Sequence, residues 1–241
     1  MPTNEHLSKQ YDIDLDGLRS LVLAMGGLVE SQIRSALDAF ATGDAVLAER
    51  VIRGEQEVDA YEISVDQECA HVIARRQPAA GDLRMILAIS KTVTDLERAG
   101  DEAEKIARMA KSIHASGRIP SERVPRIVHA ADTALSMLRQ SLDAFARLDA
   151  SAATKAVHAD AAIDEEFRAI LRQLITYMME DPRTISTALE IIWVAKAIER
   201  IGDHAKNMAE YVIYVVDGTD VRHSGLGMGR KRDEAHPEEA G

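Results

Sequence analysis

The sequence predicts an all-α protein built from two tandem antiparallel three-helix bundles. The first observation behind this prediction is an internal duplication. ALDAFATGDA at 36–45 returns as SLDAFARLDA at 141–150, and ERAGDEAEKI at 97–106 returns as ERIGDHAKNM at 199–208. A unit of about a hundred residues that occurs twice indicates two similar domains and not a solenoid of short repeats. The paired segments also show which residues both copies share.

Composition is the second observation. Ala, Leu, Ile, Val, Glu and Arg dominate while aromatic residues are only 4%, which favours helices over sheets. A hydrophobic fraction of 46% with 29% charged residues is typical of soluble globular proteins. The net charge of −11 argues against a nucleic-acid partner, because phosphate backbones attract basic surfaces.

Compartment follows from cysteine usage and hydropathy. The single cysteine, Cys69, excludes an intrachain disulfide, and we expect it to be a buried thiol. The first residues lack the apolar core of a signal peptide, and no apolar run is long enough to insert into a bilayer. We therefore expect a cytoplasmic protein.

The first copy reads as three helices joined by short turns. Apolar residues recur at helical spacing over 18–40, and the break that follows makes Asp44 the expected N-cap of a second helix. That helix reaches Arg76. The turn QPAAG leads into a third helix, which Asp82 is expected to cap and which runs to about His114.

The second copy follows the same plan. Its helices are expected over about 121–148, over about 150–179, and from the Asp–Pro turn to about 216, with Ser121 as the first N-cap. The predicted organisation is a mobile N-terminus (1–10), a first bundle (11–116), a second bundle (117–218) and a disordered tail (219–241). Helices of ~30 residues would be ~45 Å long, so we expect an elongated molecule with the two bundles in series.

Each copy carries a Glu-x-x-x-Asp pair on its third helix, with a glycine between the two acids. The pairs are Glu97 with Asp101 and Glu199 with Asp203, and the glycines are Gly100 and Gly202. Residues four apart share a helix face, where like charges repel, and a mid-helix glycine is unfavourable by ~1 kcal/mol. Because two unfavourable choices occur in both copies, we expect a ligand that compensates for them.

The second helices carry a matching set of acids. Glu55 and Asp59 are four apart, and Asp160 and Asp164 stand 105 positions later. Counted from the turn near residue 79, Asp59 lies 20 residues back while Glu97 and Asp101 lie 18 and 22 residues forward. Antiparallel neighbours bring such residues to one level. We therefore predict that four carboxylates converge in each bundle as a metal site.

Oxygen ligands suit hard cations such as Mg²⁺, Mn²⁺, Ca²⁺ or ferric iron. Zinc is disfavoured, since His204 lies off the carboxylate face and Glu102 replaces it in the first copy. The alternative is an acidic flank facing solvent, and we apply that interpretation to Glu62 and Asp66. Arg98 and Arg200 are interpreted as surface arginines.

Taken together, the repeat, the stretch ARRQPAAGDLRMI at 74–86 and the doubled E-R-x-G-D resemble the PhoU family of phosphate-transport regulatory proteins. The resemblance covers about residues 10–216 and implies a cytoplasmic negative regulator of phosphate uptake and of the phosphate-starvation response. It implies as partners the ATPase subunit of the phosphate ABC transporter, a sensor histidine kinase and a second copy of the chain. It also implies bound Mg, Mn or Fe at Glu97, Asp101, Glu199 and Asp203.

The leading hypothesis is thus a non-enzymatic signalling adaptor between transporter and kinase. A regulator of a different phosphate permease is a second hypothesis of the same class. The competing hypothesis is a metal-dependent carboxylate-bundle oxidase or phosphohydrolase, although we find no Glu-x-x-His motif on the acidic helices and no nucleophile motif. A purely structural bundle is the third.

Overall fold

The computed structural model describes residues 9–78, 80–115 and 124–221, and this part of the chain contains helices and no strands. Its six α-helices are α1 (Lys9–Thr42), α2 (Ala45–Arg76), α3 (Ala80–Ala115), α4 (Val124–Arg147), α5 (Ala150–Glu180) and α6 (Ile185–Asp217). A 3₁₀ turn, Pro182–Thr184, joins α5 to α6. The predicted all-α fold with three long helices in each copy is confirmed.

Most predicted helix ends agree with the structure, and two beginnings do not. Helix α1 begins at Lys9, well before residue 18, because Tyr11 and Leu15 continue its buried apolar stripe. Asp82 is not an N-cap but the third residue of α3, where its charge still faces the positive end of the helix. The expected cap at Ser121, the bundle boundary near 117 and most of the tail (222–241) lie outside the described residues, as do residues 1–8 of the N-terminus.

The duplicated segment builds the same turn in both copies. Asp44 accepts hydrogen bonds from the backbone N–H groups of Val46 and Leu47, both at 2.9 Å, as the sequence predicted. Asp149 accepts one from Ala152, also at 2.9 Å. The residue before each cap has a positive φ, 79° at Gly43 and 51° at Leu148. The repeated sequence therefore encodes the end of one helix followed directly by the N-terminus of the next.

Replacing the second cap tests this local account. Asp149→Ala should lower the free energy of unfolding by ~1 kcal/mol, because an N–H at the start of α5 loses its acceptor. Urea denaturation followed by circular dichroism measures the change. Asp149→Ser keeps a capping oxygen and should stay within a few tenths of a kcal/mol of wild type. Equal losses in both variants would contradict the capping role.

The two bundles lie side by side, so the expected arrangement in series is wrong. Helices α3 and α6 pack antiparallel, and residue numbers rise along one as they fall along the other. The facing pairs are Asp95 with His204, Glu102 with Arg200, and Ser112 with Glu190. Helices α1 and α4 add a second contact, in which Arg139 pairs with Glu30 at 2.6 Å. The molecule is still elongated along its helix axes, since the 36 residues of α3 span ~54 Å.

One hydrophobic core runs through both bundles. Its buried members come from all six helices, and Ala99, Ala103, Ile198 and Ala205 place apolar surface on the two central helices. Burying this surface is the main force that holds the bundles together. Among the described helices, none is both long and apolar enough to cross a membrane.

Candidate metal centres

In the first bundle, α2 and α3 bring their acids to one level. Val58 of α2 packs against Gly100 of α3, with its Cγ1 atom 3.3 Å from the position that a Cβ would occupy there. Asp59 and Asp101 follow these two residues directly in sequence, so their carboxylates belong to the same layer. The level predicted by counting from the turn is the level observed.

Among the acids of this layer, Glu97 has the most strongly perturbed pKa. Burial raises the pKa of Glu97 to about 7, and the negative charges of Asp101, Glu62 and Asp59 contribute in the same direction. Its side chain has no hydrogen bond or ion pair among the described residues. Glu97 therefore lies near other carboxylates, and no described basic side chain forms an ion pair with it.

The other acids of the layer show the same pattern. Burial raises the pKa of Asp101, assisted by Glu104 and Asp59 and opposed by Lys105. Burial also raises the pKa of Glu55, with Asp59, Glu104 and Asp101 adding to the shift. Burial is the largest cause of each shift, and the smaller contributions of charge show that these acids lie near one another. Their convergence around one cation stays a prediction.

The second bundle gathers its acids in the corresponding place. Burial raises the pKa of Asp203 to about 6, and the charges of Glu199, Asp160 and Asp164 add to the shift, while Lys196 opposes it. Here the acids already have cationic partners. Asp160 accepts a hydrogen bond of 2.6 Å from Lys206, Glu199 pairs with Lys196, and Asp164 lies 3.3 Å from Arg168.

The glycines between the paired acids have a different role from the one expected. A Cβ on Gly202 would lie 2.7 Å from Cδ1 of Ile163, as a Cβ on Gly100 would lie against Val58. The space is thus filled by apolar side chains of the second helices and not by a ligand. Both glycines let α2 and α5 approach closely, which brings the carboxylates of neighbouring helices together.

Sequence reasoning missed two further acids of the first bundle. Glu62, interpreted as facing solvent, is half-buried against α3 and accepts a hydrogen bond of 3.4 Å from Thr94. Glu104 acts on both Glu55 and Asp101. Its position three residues after Asp101, on the same helix face, was a signal that could have identified it. Asp66 is exposed, as expected, and its carboxylate accepts a hydrogen bond from the Ser90 hydroxyl.

Arg200 and His204 contact the first bundle and not the predicted metal ligands of the second. Arg200, interpreted as a surface arginine, lies 3.2 Å from Glu102 across the contact between the bundles. His204 Nδ1 lies 2.8 Å from the Asp95 carboxylate, also across that contact. The sequence placed His204 off the carboxylate face, and the structure agrees. Arg98 is exposed, as expected.

The donor set fits hard cations in its chemistry. All eight predicted ligand positions offer carboxylate oxygens, and each cluster contains a group whose pKa is raised mainly by burial and then by the negative charge of its neighbours. A cation would relieve that accumulation. In residues 9–78, 80–115 and 124–221, however, no three acidic, histidine or cysteine side chains are already closed around one point.

Two segments of the chain, residues 22–110 and 127–212, match the sequence model of the family described as PhoU domain. The chain belongs to the PhoU family. Each match contains one complete set of the acids described above, so the resemblance carried by the doubled E-R-x-G-D motif is confirmed.

Individual relatives agree with this assignment over nearly their whole length. A phosphate-specific transport system accessory protein PhoU homolog from Pseudomonas putida is 50% identical over 221 residues, which cover 92% of this chain and 86% of that protein. The crystal structure of PhoU from Pseudomonas aeruginosa superposes with a TM-score of 0.83 at 47% identity, covering 87% of this chain and 100% of that one. The phosphate transport system regulatory protein PhoU from Streptococcus pneumoniae gives 0.81 at 27% identity, covering 88% and 99%.

Proposed function

We propose that this PhoU-family chain is a cytoplasmic, non-enzymatic accessory protein of phosphate transport that represses phosphate uptake and the phosphate-starvation response. In this proposal it forms a homodimer and links the ATPase subunit of a phosphate ABC transporter to a sensor histidine kinase. The observation that carries the proposal is its 50% identity, over 92% of its length, to a phosphate-specific transport system accessory protein.

The physical character of the chain supports a role in protein contacts. Long helices present extended faces, and several large apolar side chains are exposed on them, Trp193 at 65% and Met179 at 81% among them. The acidic balance of the sequence disfavours nucleic acid. Such faces suit binding to other helical or basic proteins.

The metal ions belong to the same proposal. Glu55, Asp59, Glu97 and Asp101 would hold Mg, Mn or Fe in the first bundle, and Asp160, Asp164, Glu199 and Asp203 would do so in the second. A bound cation supplies positive charge that offsets the repulsion between these carboxylates. It thereby fixes α2 against α3 and α5 against α6.

Deletion and co-purification test the regulatory role. We expect the chain to co-purify with the transporter ATPase subunit or with the kinase, and we expect its deletion to switch on starvation genes while phosphate is abundant. Starvation genes that do not change on deletion would refute the proposal. If deletion has its effect in a strain without the ABC transporter, the chain regulates another permease.

Purified protein addresses the enzymatic alternative. Turnover of a phosphomonoester by the manganese-loaded chain, lost in Glu97→Ala, would support a phosphohydrolase in place of the adaptor. We expect no such turnover in either protein. Glu57→Ala serves as the control, because Glu57 is an exposed acid of α2 outside the cluster.

A further inference from the structure

The two carboxylate clusters have the same backbone plan but opposite surroundings. At three duplicated positions that border the acids, the first copy is the more negative: Glu104 corresponds to Lys206, Thr94 to Lys196, and Glu62 to Phe167. Two bordering positions change the other way, since Lys105 corresponds to Asn207 and Arg108 to Glu210, but Lys105 and Arg108 pair with Glu102 and Glu104 and not with the four acids. The second bundle differs from the first in having two ammonium groups paired directly with its acids.

Lys206 extends into the second cluster. Its Nζ donates a hydrogen bond of 2.6 Å to Oδ2 of Asp160, a residue that is only 9% exposed. The carboxylate of Asp203 lies close enough to act on the same ammonium group. The ammonium group therefore stands beside two of the four acids, in the position of a cation.

Lys196 neutralises the cluster from the other side. Its Nζ pairs with Glu199 and lies 5.5 Å from the centre of the Phe167 ring. The contact with an aromatic ring favours a positive charge at this point. Between them, the two lysines make direct ion pairs with Asp160 and Glu199.

The first cluster contains no such lysine. Among the described residues, no Lys, Arg or His side chain lies within ion-pair distance of Glu55, Asp59, Glu97 or Asp101. Arg108 pairs with Glu104 at the border of the cluster. Lys105, Arg98 and Arg108 act on these acids only from beyond ion-pair distance, so no described side chain occupies the place of a bound cation.

We propose that the two metal sites are unequal: the first bundle binds a hard cation tightly, and the second binds one weakly because Lys206 and Lys196 already act as its counter-ions. This inference rests on the metal sites of the proposed function. A cation in the second bundle must displace Lys206 from Asp160 before that carboxylate can become a ligand. The first site is then filled at low cation concentration, and the second responds to higher concentration.

Calorimetric titration with Mn²⁺ of full-length, metal-free protein tests the inference. Wild type should show a tight class of sites and a class that binds at least about tenfold more weakly. Lys206→Glu, which installs the residue of the first copy, should tighten the weak class by about tenfold and leave the tight class unchanged. Glu104→Lys should weaken the tight class. Glu97→Gln should weaken only the tight class of sites and Glu199→Gln only the weak class, which assigns each class to its bundle.

Matched controls separate a local effect from net charge. Lys155→Glu makes the same charge change at an exposed position of α5 and should leave both classes as in wild type. Lys206→Met removes the ammonium group without adding a negative charge, and it should also tighten the weak class of sites. This variant keeps the test available if Lys206→Glu does not fold.

Two results would overturn the inference in distinguishable ways. Equal affinities in wild type, or Lys206 variants that behave like Lys155→Glu, refute the inequality and leave the metal sites standing. Absence of any Mn²⁺ binding, by calorimetry and by equilibrium dialysis, removes the metal sites themselves and the inequality with them.

Discussion

Replacing Asp95 by alanine should destabilise the protein by ~2–4 kcal/mol, a larger effect than we expect from any cap or surface variant. Asp95 lies in the contact between the bundles, where its side chain is 4% exposed. Its Oδ1 atom accepts hydrogen bonds from His204 Nδ1 at 2.8 Å and from Asn207 Nδ2 at 3.1 Å. Without the carboxylate, the buried His204 and the half-buried Asn207 would both lose their acceptor. Urea denaturation measures the loss.

A double-mutant cycle shows whether this effect belongs to the pair. We expect Asp95→Ala and His204→Ala to be non-additive by ~1–3 kcal/mol, because each single variant removes the same hydrogen bond. Asp132→Ala, at an exposed acid of α4, should change stability by less than ~0.5 kcal/mol. Additive losses from Asp95 and His204 would show that the two residues do not stabilise the contact together.

The elements of each bundle follow from local sequence information. Helical periodicity, capping aspartates and turn residues act over a few positions, so they place the helix ends near Arg76, His114, Leu148, Met179 and Val216 to within about two residues. The start of α1 was not predicted, because Tyr11 and Leu15, each about one turn from the next apolar position, were left out of the stripe. The common level of the acids on neighbouring helices also followed, since antiparallel helices that share a short turn have a fixed register.

The packing of one bundle on the other could not be predicted in the same way. It depends on residues about a hundred positions apart, and their partners are not set by any turn. Nothing in the sequence singled out Asp95 and His204, because neither is repeated in the other copy: the equivalents are Ala197 and Glu102. The residues that the two copies share therefore carry no information about this contact.

The metal centres also depend on residues that differ between the copies. Shared residues identified Glu97, Asp101, Glu199 and Asp203, but differences at bordering positions set the charge of each cluster. Glu104 and Lys206 occupy equivalent positions with opposite charge. The glycines were conserved between the copies for a packing reason that only the positions of Val58 and Ile163 reveal.

Glu97→Gln should change stability in opposite directions with and without metal. In metal-free protein at pH 8, we expect the amide to raise the free energy of unfolding by ~0.5–1 kcal/mol, a modest gain because solvent screens this half-buried group. With Mn²⁺ at about a hundred times its dissociation constant, wild type should gain ~2.7 kcal/mol from binding, and the variant should lose most of that gain. Thermal and urea unfolding, each with Mn²⁺ and with chelator, measure the four values.

In metal-free protein, the difference in free energy of unfolding between Glu97→Gln and wild type should depend on pH with a definite sign. The pKa of Glu97 is raised from 4.5 to about 7, mainly by burial and then by Asp101, so the folded protein holds this proton more tightly than the unfolded chain does. The stability that the protonated carboxyl contributes is complete below pH 4.5 and is lost as pH rises through about 7. The advantage of the amide should therefore be absent near pH 4 and reach its full size above pH 7.

Glu57→Gln makes the same chemical change at an exposed position of α2 and should leave stability unchanged under all four conditions. If Glu97→Gln behaves like this control, Glu97 is an ordinary solvated acid. If Asp101→Asn and Asp203→Asn also leave metal content and starvation-gene expression as in wild type, the clusters are structural only. An inversion of sign on adding Mn²⁺ is the one result that a structural bundle cannot produce, because it requires that the carboxylate be unfavourable in the fold and favourable with a cation bound.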